Sequence, residues 1–188
     1  MSWVEGGGGM TTTEDFDSFY RDTSRRLARY AYGLTGDPGD AQDLVQEAYA
    51  RAWQRWRRLA DYEDREAWLR LVVNRLATDR WRRLGIRRAR AAAEPPPSPT
   101  PPPSENTVLL IRAMRTLPMA HRRALALHYL LDRSVAEIAH ETGSSVGTVK
   151  SWLSRGRAGL AAVLDEDTPA LAGNGRSHEA TNGADDAH

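Results

Sequence analysis

The 188-residue sequence has no cysteine, which excludes disulfides and thiolate metal sites and fits a reducing, cytoplasmic setting. Lysine is nearly missing too: Lys150 is the one lysine among 26 basic residues. A GC-rich coding sequence would produce that bias, so the arginine excess alone is not read as function. No apolar run is long enough to span a membrane, and the N-terminal MSWVEGGGGMTTTEDFD lacks the basic and apolar pattern of a secretory leader, so no membrane insertion is expected. A catalytic constellation is also lacking. His121, His128 and His140 fall in helical stretches without cysteine or paired carboxylates at ligand spacing, and His178 and His188 lie near the C-terminus. The Gly6 to Gly9 run has neither the strand nor the helix that a phosphate-cradling loop requires. The expectation is a non-enzymatic protein with no metal site and no cofactor.

What the chain does have is segregated charge. The formal net charge is +1, yet residues 1–50 hold 4 Arg against 9 acids, and residues 51–90 hold 13 Arg against 5. Residues 107–164 carry 8 basic side chains against 3 acids, and residues 165–188 carry 1 Arg against 6. Two basic blocks flanked by acidic ones suggest a polyanion met at two places and a second partner on the acidic side.

Between the basic blocks, AAAEPPPSPTPPPSEN (91–106) contains seven prolines. Each proline removes a backbone donor and restricts its neighbour, so the stretch reads as a semi-extended linker. On either side the apolar spacing is helical and no segment alternates convincingly as a strand does. The fold class is therefore all-α, with two small helical domains. The boundaries expected are a disordered N-terminus at 1–13, a first domain at 14–86, the linker at 87–106, a second domain at 107–165 and a disordered acidic tail at 166–188. Met1 and Met10 both fit as the start.

Within the first domain, Phe16, Phe19, Leu27, Tyr30, Ala31 and Leu34 recur at helical intervals until Gly36 and Asp37-Pro38-Gly39 end the helix. Asp40 is expected to cap a second helix, with Leu44, Ala48, Ala52 and Trp56 on one face, running to about Arg58. A third helix from about Glu63 carries Trp68, Leu69, Val72, Val73 and Leu76, then becomes the cationic RWRRLGIRRAR. Four short helices are expected beyond the linker: Val108 to Leu117, Met119 to Leu131, Ser134 to Thr142 and Ser145 to Leu164.

The last two of these have the spacing of a helix-turn-helix. Ala139 supplies the small residue for close helix packing, Gly143 the turn, and Val149 the apolar anchor of the second helix, with Ile138 and Trp152 extending the buried face. Ser145 suits the N-cap, and Thr148, Lys150, Ser151, Ser154 and Arg155 then face outward, where they can donate to phosphates and base edges.

Three strings in this order resemble the extracytoplasmic-function sigma factors, the smallest branch of the housekeeping-type bacterial sigma family, over about residues 14–164. DAQDLVQEAYARAW (Asp40 to Trp53) is similar to the family's polymerase-binding segment, AWLRLVVNRLATDRWRR (Ala67 to Arg83) to the segment that opens and reads the -10 element, and SVGTVKSWLSRGR (Ser145 to Arg157) to the helix that reads the -35 element. The resemblance implies sigma regions 2 and 4 on either side of the linker, with core RNA polymerase and promoter DNA as partners and an anti-sigma factor as a frequent further one. The chain departs from the pattern at three places. Asn74 and Arg75 look transposed, Trp152 stands where Arg is usual, and Gly156 replaces an Ala.

On this reading Asp40, Asp43, Leu44, Gln46 and Glu47 contact polymerase, the polar groups accepting hydrogen bonds from basic clamp residues and Leu44 adding apolar contact. Asn74, Arg75, Arg80, Trp81, Arg82 and Arg83 serve the -10 element, the arginines gripping backbone while an indole stacks on an unpaired base. Ser145, Thr148, Lys150, Ser151, Ser154 and Arg155 serve the -35 element, with Trp152 expected to pack rather than read. Trp68 is open to two readings, core or base stacking. The rival function is a stand-alone helix-turn-helix regulator, which leaves the DAQDLVQE helix and the first basic block idle.

Overall fold

The computed structural model describes residues 9–59, 61–90 and 105–172, and every regular element among them is helical. The central proline run 91–104 and the two ends, 1–8 and 173–188, lie outside the described residues. The elements are α1 (Gly9–Thr35), α2 (Pro38–Gln54), α3 (Trp56–Leu59), α4 (Arg65–Arg90), α5 (Glu105–Thr116), α6 (Met119–Leu125), α7 (Val135–Thr142) and α8 (Val146–Ala172). A π-helical turn, Ala126–Leu130, extends α6.

Several boundaries differ from the sequence expectation. Helix α1 begins at Gly9, inside the segment read as disordered, because no glycine or proline interrupts the chain from Met10 to Tyr32 and a nucleated helix propagates. Helix α8 likewise runs past Asp165 to Ala172, continuing from the alanine- and leucine-rich turns Leu160 to Leu164 into the segment read as tail. Helices α4 and α5 take residues 87–90 and 105–106 from the segment read as linker. The cap of α2 is Asp37 rather than Asp40: its Oδ1 accepts from the Asp40 N–H at 2.8 Å, with Pro38 in the first turn where its missing donor costs nothing. That helix also stops at Gln54, where Arg55 leaves helical geometry before α3.

The first half is a bundle in which α1 packs on α2 and α4. Leu27, Tyr30, Ala31 and Leu34 of α1 meet Ala41, Leu44, Val45, Ala48 and Ala52 of α2 and Leu69, Val73 and Ala77 of α4 in one buried core. An aromatic cluster closes one end: Phe16 lies edge-on to Trp53 and Trp56, with ring centroids 4.9 and 5.0 Å apart. In the second half α8 crosses α5, α6 and α7. Gly156 permits the crossing, since a Cβ there would meet Leu125 Cδ1 at 2.9 Å, which gives the Gly-for-Ala departure a physical reason. The same α1 that organises the first half also packs against α5, α6 and the π-turn. The two halves are therefore in contact.

Candidate nucleic-acid and polymerase interfaces

The helix-turn-helix is built by caps at each junction. Ser134 Oγ accepts from the Glu137 N–H at 3.2 Å while Glu137 Oε2 accepts from the Ser134 N–H at 2.8 Å, a reciprocal capping box. Hydrogen bonds from Ser134, and then from Arg133, pull the Glu137 carboxyl down to about 2. Gly143 closes α7 in the left-handed region at φ 66°, where glycine pays no steric penalty, so the turn falls where sequence spacing put it. Ser145 Oγ then accepts from the Thr148 N–H at 3.1 Å. Ile138, Ala139, Val149 and Leu153 are buried between α7 and α8.

That packing leaves Thr148, Lys150, Ser154 and Arg155 exposed and Ser151 half-buried on the outer side of α8. Ser145, also exposed, is engaged as a cap and by Thr148 Oγ1 at 2.9 Å. Lys150 and Arg155 make no ion pair among the described residues, so both cations are available to a polyanion. Trp152 is half-buried and packs against the core.

The cationic α4 presents a different picture. Arg75, Arg82 and Arg83 are exposed, but Arg82 pairs with Asp79 at 3.0 Å. Arg80 Nη2 donates to Asp40 Oδ1, and the guanidinium sits 3.7 Å from Asp43, so a residue expected at the -10 element is held by two expected at polymerase. Trp81 is 38% exposed, and the Arg122 guanidinium from the second half lies over its ring at 4.6 Å. Asn74 is half-buried with its amide oxygen enclosed and without a hydrogen-bond partner among the described residues.

On α2, Asp43, Gln46 and Glu47 are exposed, Asp40 is half-buried, and Glu47 pairs with Arg51 at 2.8 Å. Leu44 corrects the sequence expectation. It is 5% exposed and part of the core, because it falls on the buried face with Ala41, Val45 and Ala48, so it has no apolar surface to offer polymerase. Trp53, 47% exposed, is the large apolar side chain open to solvent on this helix.

Sequence spacing missed two further features. Arg51, Gln54 and Arg55 converge with Trp68, Leu71, Val72 and Arg75 of α4 around a cavity of about 230 Å³. Three guanidinium groups and an indole around one space suit a nucleobase with its phosphate. The sequence held no sign of it, since the lining comes from two helices about twenty residues apart. Trp68 is accordingly half-buried and lines this cavity, which places it between its two readings. The second feature is a pair of buried arginines, Arg70 and Arg122, each only 1% exposed. Arg70 lies in an apolar stretch, where helical spacing alone marks its position as inward, but its partners are distant in sequence.

Comparison with known proteins agrees with the two-module layout. Residues 19–86 match the family model for Sigma-70 region 2, and residues 107–160 match that for Sigma-70, region 4. The chain is 35% identical over 153 residues to the RNA polymerase sigma-E factor of Streptomyces antibioticus, covering 80% of this chain and 85% of that protein. It is 31% identical over 156 residues to the ECF RNA polymerase sigma factor SigL of Mycobacterium tuberculosis, covering 79% and 88%. In fold it is similar to the sigma factor RpoE from Bartonella quintana, solved with the anti-sigma factor NepR, at a TM-score of 0.66 and 24% identity over 82% of this chain and 99% of that one. It is similar in the same way to CnrH, solved with the cytosolic domain of CnrY, at a TM-score of 0.57 and 24% identity over 82% and 90%. Two matched regions in order, with relatives of this identity along most of their length, settle the family: the chain is an extracytoplasmic-function sigma factor, a promoter-specificity subunit of RNA polymerase.

Proposed function

We propose that residues 14–86 hold the contacts to core polymerase and the -10 element, and residues 107–165 those to the -35 element. Asp40, Asp43, Gln46 and Glu47 form the acidic face offered to a basic clamp on polymerase. Arg75, Arg80, Trp81, Arg82 and Arg83, with Asn74 at their edge, take the melted -10 strand, and the cavity beside Trp68 and Arg75 takes an unstacked base from it. Thr148, Lys150, Ser151, Ser154 and Arg155 enter the -35 major groove from a helix that Ser145 caps.

The observation that carries this reading is one chain with an acidic α2 face, a cationic aromatic α4 and an outward α8 whose Lys150 and Arg155 have no ion pair among the described residues. The protein makes and breaks no covalent bond; polymerase supplies the chemistry, and the site of action is the cytoplasm. The RpoE structure contains the anti-sigma factor NepR, which supports a protein of that class as a regulator of this chain. The test is transcription in vitro. Core polymerase plus this chain should initiate specifically from a promoter of the source organism, and neither alone should. Footprinting of both elements by the free chain, with no gain on adding core, would favour the stand-alone regulator.

A further inference from the structure

The cavity beside Trp68 is walled by two helical stripes. On α4, Trp68, Leu71, Val72 and Arg75 stand at i, i+3, i+4 and i+7 and so share one face. Facing them at the end of α2 are Arg51, Gln54 and Arg55, the last at the point where the chain leaves helical geometry. Val72 is buried and Trp68 and Leu71 are half-buried, so the floor is apolar, whereas Arg51, Gln54, Arg55 and Arg75 are exposed and form a polar rim. The volume of about 230 Å³ is below the roughly 300 to 1,000 Å³ of pockets that enclose a drug-sized ligand. It suits one planar ring system, with its sugar and phosphate left at the rim.

The rim is made almost wholly of donors. A guanidinium only donates, and no carboxylate lines the space. Arg51 is committed in part, since its Nε donates to Glu47 Oε1 at 2.8 Å. Arg55 and Arg75 are exposed and have no ion pair among the described residues. Adenine would set its N6 amino donor against these donors, and thymine its methyl group. Guanine instead presents O6 and N7 side by side as acceptors, the edge that one arginine fork meets with two hydrogen bonds. Cytosine also has adjacent acceptors, O2 and N3, but one ring rather than two to lay on the indole. Gln54 carries the one acceptor on the rim that is not a backbone group, and the guanine N2 amino group needs such a partner. On a helix the Cα–Cβ bond tilts toward the N-terminus, which leans Arg75 back over Val72 toward Trp68, ~10 Å away along the axis.

We propose that this cavity selects guanine. The ring lies on Trp68 above Leu71 and Val72, Arg75 donates to O6 and N7, Gln54 accepts from the N2 amino group, and Arg55 holds the phosphate. Guanine selection rests on the proposed use of the cavity for an unstacked base, and Arg75 is then the side chain that sets which base enters. The ligand is a guanine nucleotide, and the same chemistry describes one within a melted strand and one free in solution.

The test is fluorescence anisotropy of the full-length chain with a strand of abasic deoxyribose phosphates that carries a single central guanine, adenine, cytosine or thymine, or no base. The guanine strand should bind about tenfold tighter than the base-free strand and about tenfold tighter than the adenine or thymine strand, with cytosine between. Arg75→Lys keeps the charge and loses the fork, so the guanine preference should fall below about twofold while the base-free strand binds as before. Arg55→Gln should weaken every strand alike and lower the salt slope by about one. Both positions are exposed, so unchanged circular dichroism is expected of both variants. Displacement of the guanine strand by free dGMP and not by dAMP would add the free nucleotide as a source of ligand; with no displacement by either, the strand is the source. Equal binding of all four bases, a guanine preference that survives Arg75→Lys, or equal displacement by dGMP and dAMP would each overturn guanine selection. A base-free strand bound as tightly as every other would go further and remove the base from the cavity altogether, which is the failure of the proposed use rather than of the choice of base.

Discussion

The two cationic helices differ in what their charges are doing. On α8, Lys150 and Arg155 point outward from a rigidly capped helix with no counter-ion among the described residues. On α4, Arg80 is held by Asp40 and Asp43, Arg82 by Asp79, Arg70 by Glu141, and Trp81 lies under Arg122. A cation with no partner releases only solvent and counter-ions when it meets DNA. A paired one must exchange a carboxylate for a phosphate, so the net gain is smaller and conditional on where the carboxylate goes. On the proposed roles, the difference teaches that the -35 module is preformed for binding, whereas the -10 module is coupled to events elsewhere on the protein. If Asp40 and Asp43 form the polymerase face as proposed, docking on the clamp would withdraw the counter-ions from Arg80 at the moment it is needed.

The largest expected effect breaks that coupling at its source. Asp43→Arg with Glu47→Arg places like charges against a basic clamp and should weaken capture by core polymerase at least a hundredfold, about 2.7 kcal/mol or more. Both positions are exposed, so the melting temperature should change little. Capture at normal affinity, measured by co-elution or fluorescence titration, would show that the acidic face lies elsewhere.

The preformed side of the comparison is sharpened at Arg155. If its guanidinium reads a base, Arg155→Ala in holoenzyme should cost about 1–3 kcal/mol at one -35 position and relax the preference there. If it grips phosphate, the loss should be uniform across sequences and the salt slope should fall by about one. Lys150, five residues earlier, should meet a different part of the groove and supply a point charge rather than a bidentate fork.

Trp152 tests which face of α8 is inward. It is half-buried against the core, so Trp152→Ala should destabilise the second half by about 2 kcal/mol, with a lowered melting temperature. An unchanged melting temperature with altered -35 preference would mean that the helix is rotated from the position described.

What could be seen in the sequence follows the range of the interaction. The capping and turn of the helix-turn-helix are local, set by Ser134, Gly143 and Ser145 within a few residues of their partners, and the spacing located them. The exposed faces of α2 and α8 follow helical periodicity. Leu44 was misplaced because the acidic residues around it drew it to the outer face, although its spacing to Ala41 and Ala48 put it inside. Asp37 and Asp40 compete for one cap, and the proline between them decides for Asp37. Arg70–Glu141, Arg122–Leu34 and Arg80–Asp40 join residues 40 or more apart, and no local rule pairs them.

The smallest effect concerns the capping box that orients the two helices of the DNA-reading unit. The Glu137 carboxyl, drawn down to about 2 by Ser134 and Arg133, lies below the ordinary glutamate value near 4.3, so the folded state prefers its ionised form. Its contribution is therefore complete above pH ~4.3 and is lost as pH falls from there through about 2. Glu137→Gln keeps an acceptor for the Ser134 N–H but cannot lose a charge. The variant should be slightly less stable than the parent at pH 7, and the gap should close as pH falls toward 2. Parallel curves of melting temperature against pH over that window would show that the box contributes through hydrogen bonding alone, and that the rigidity of the -35 module does not rest on the Glu137 charge.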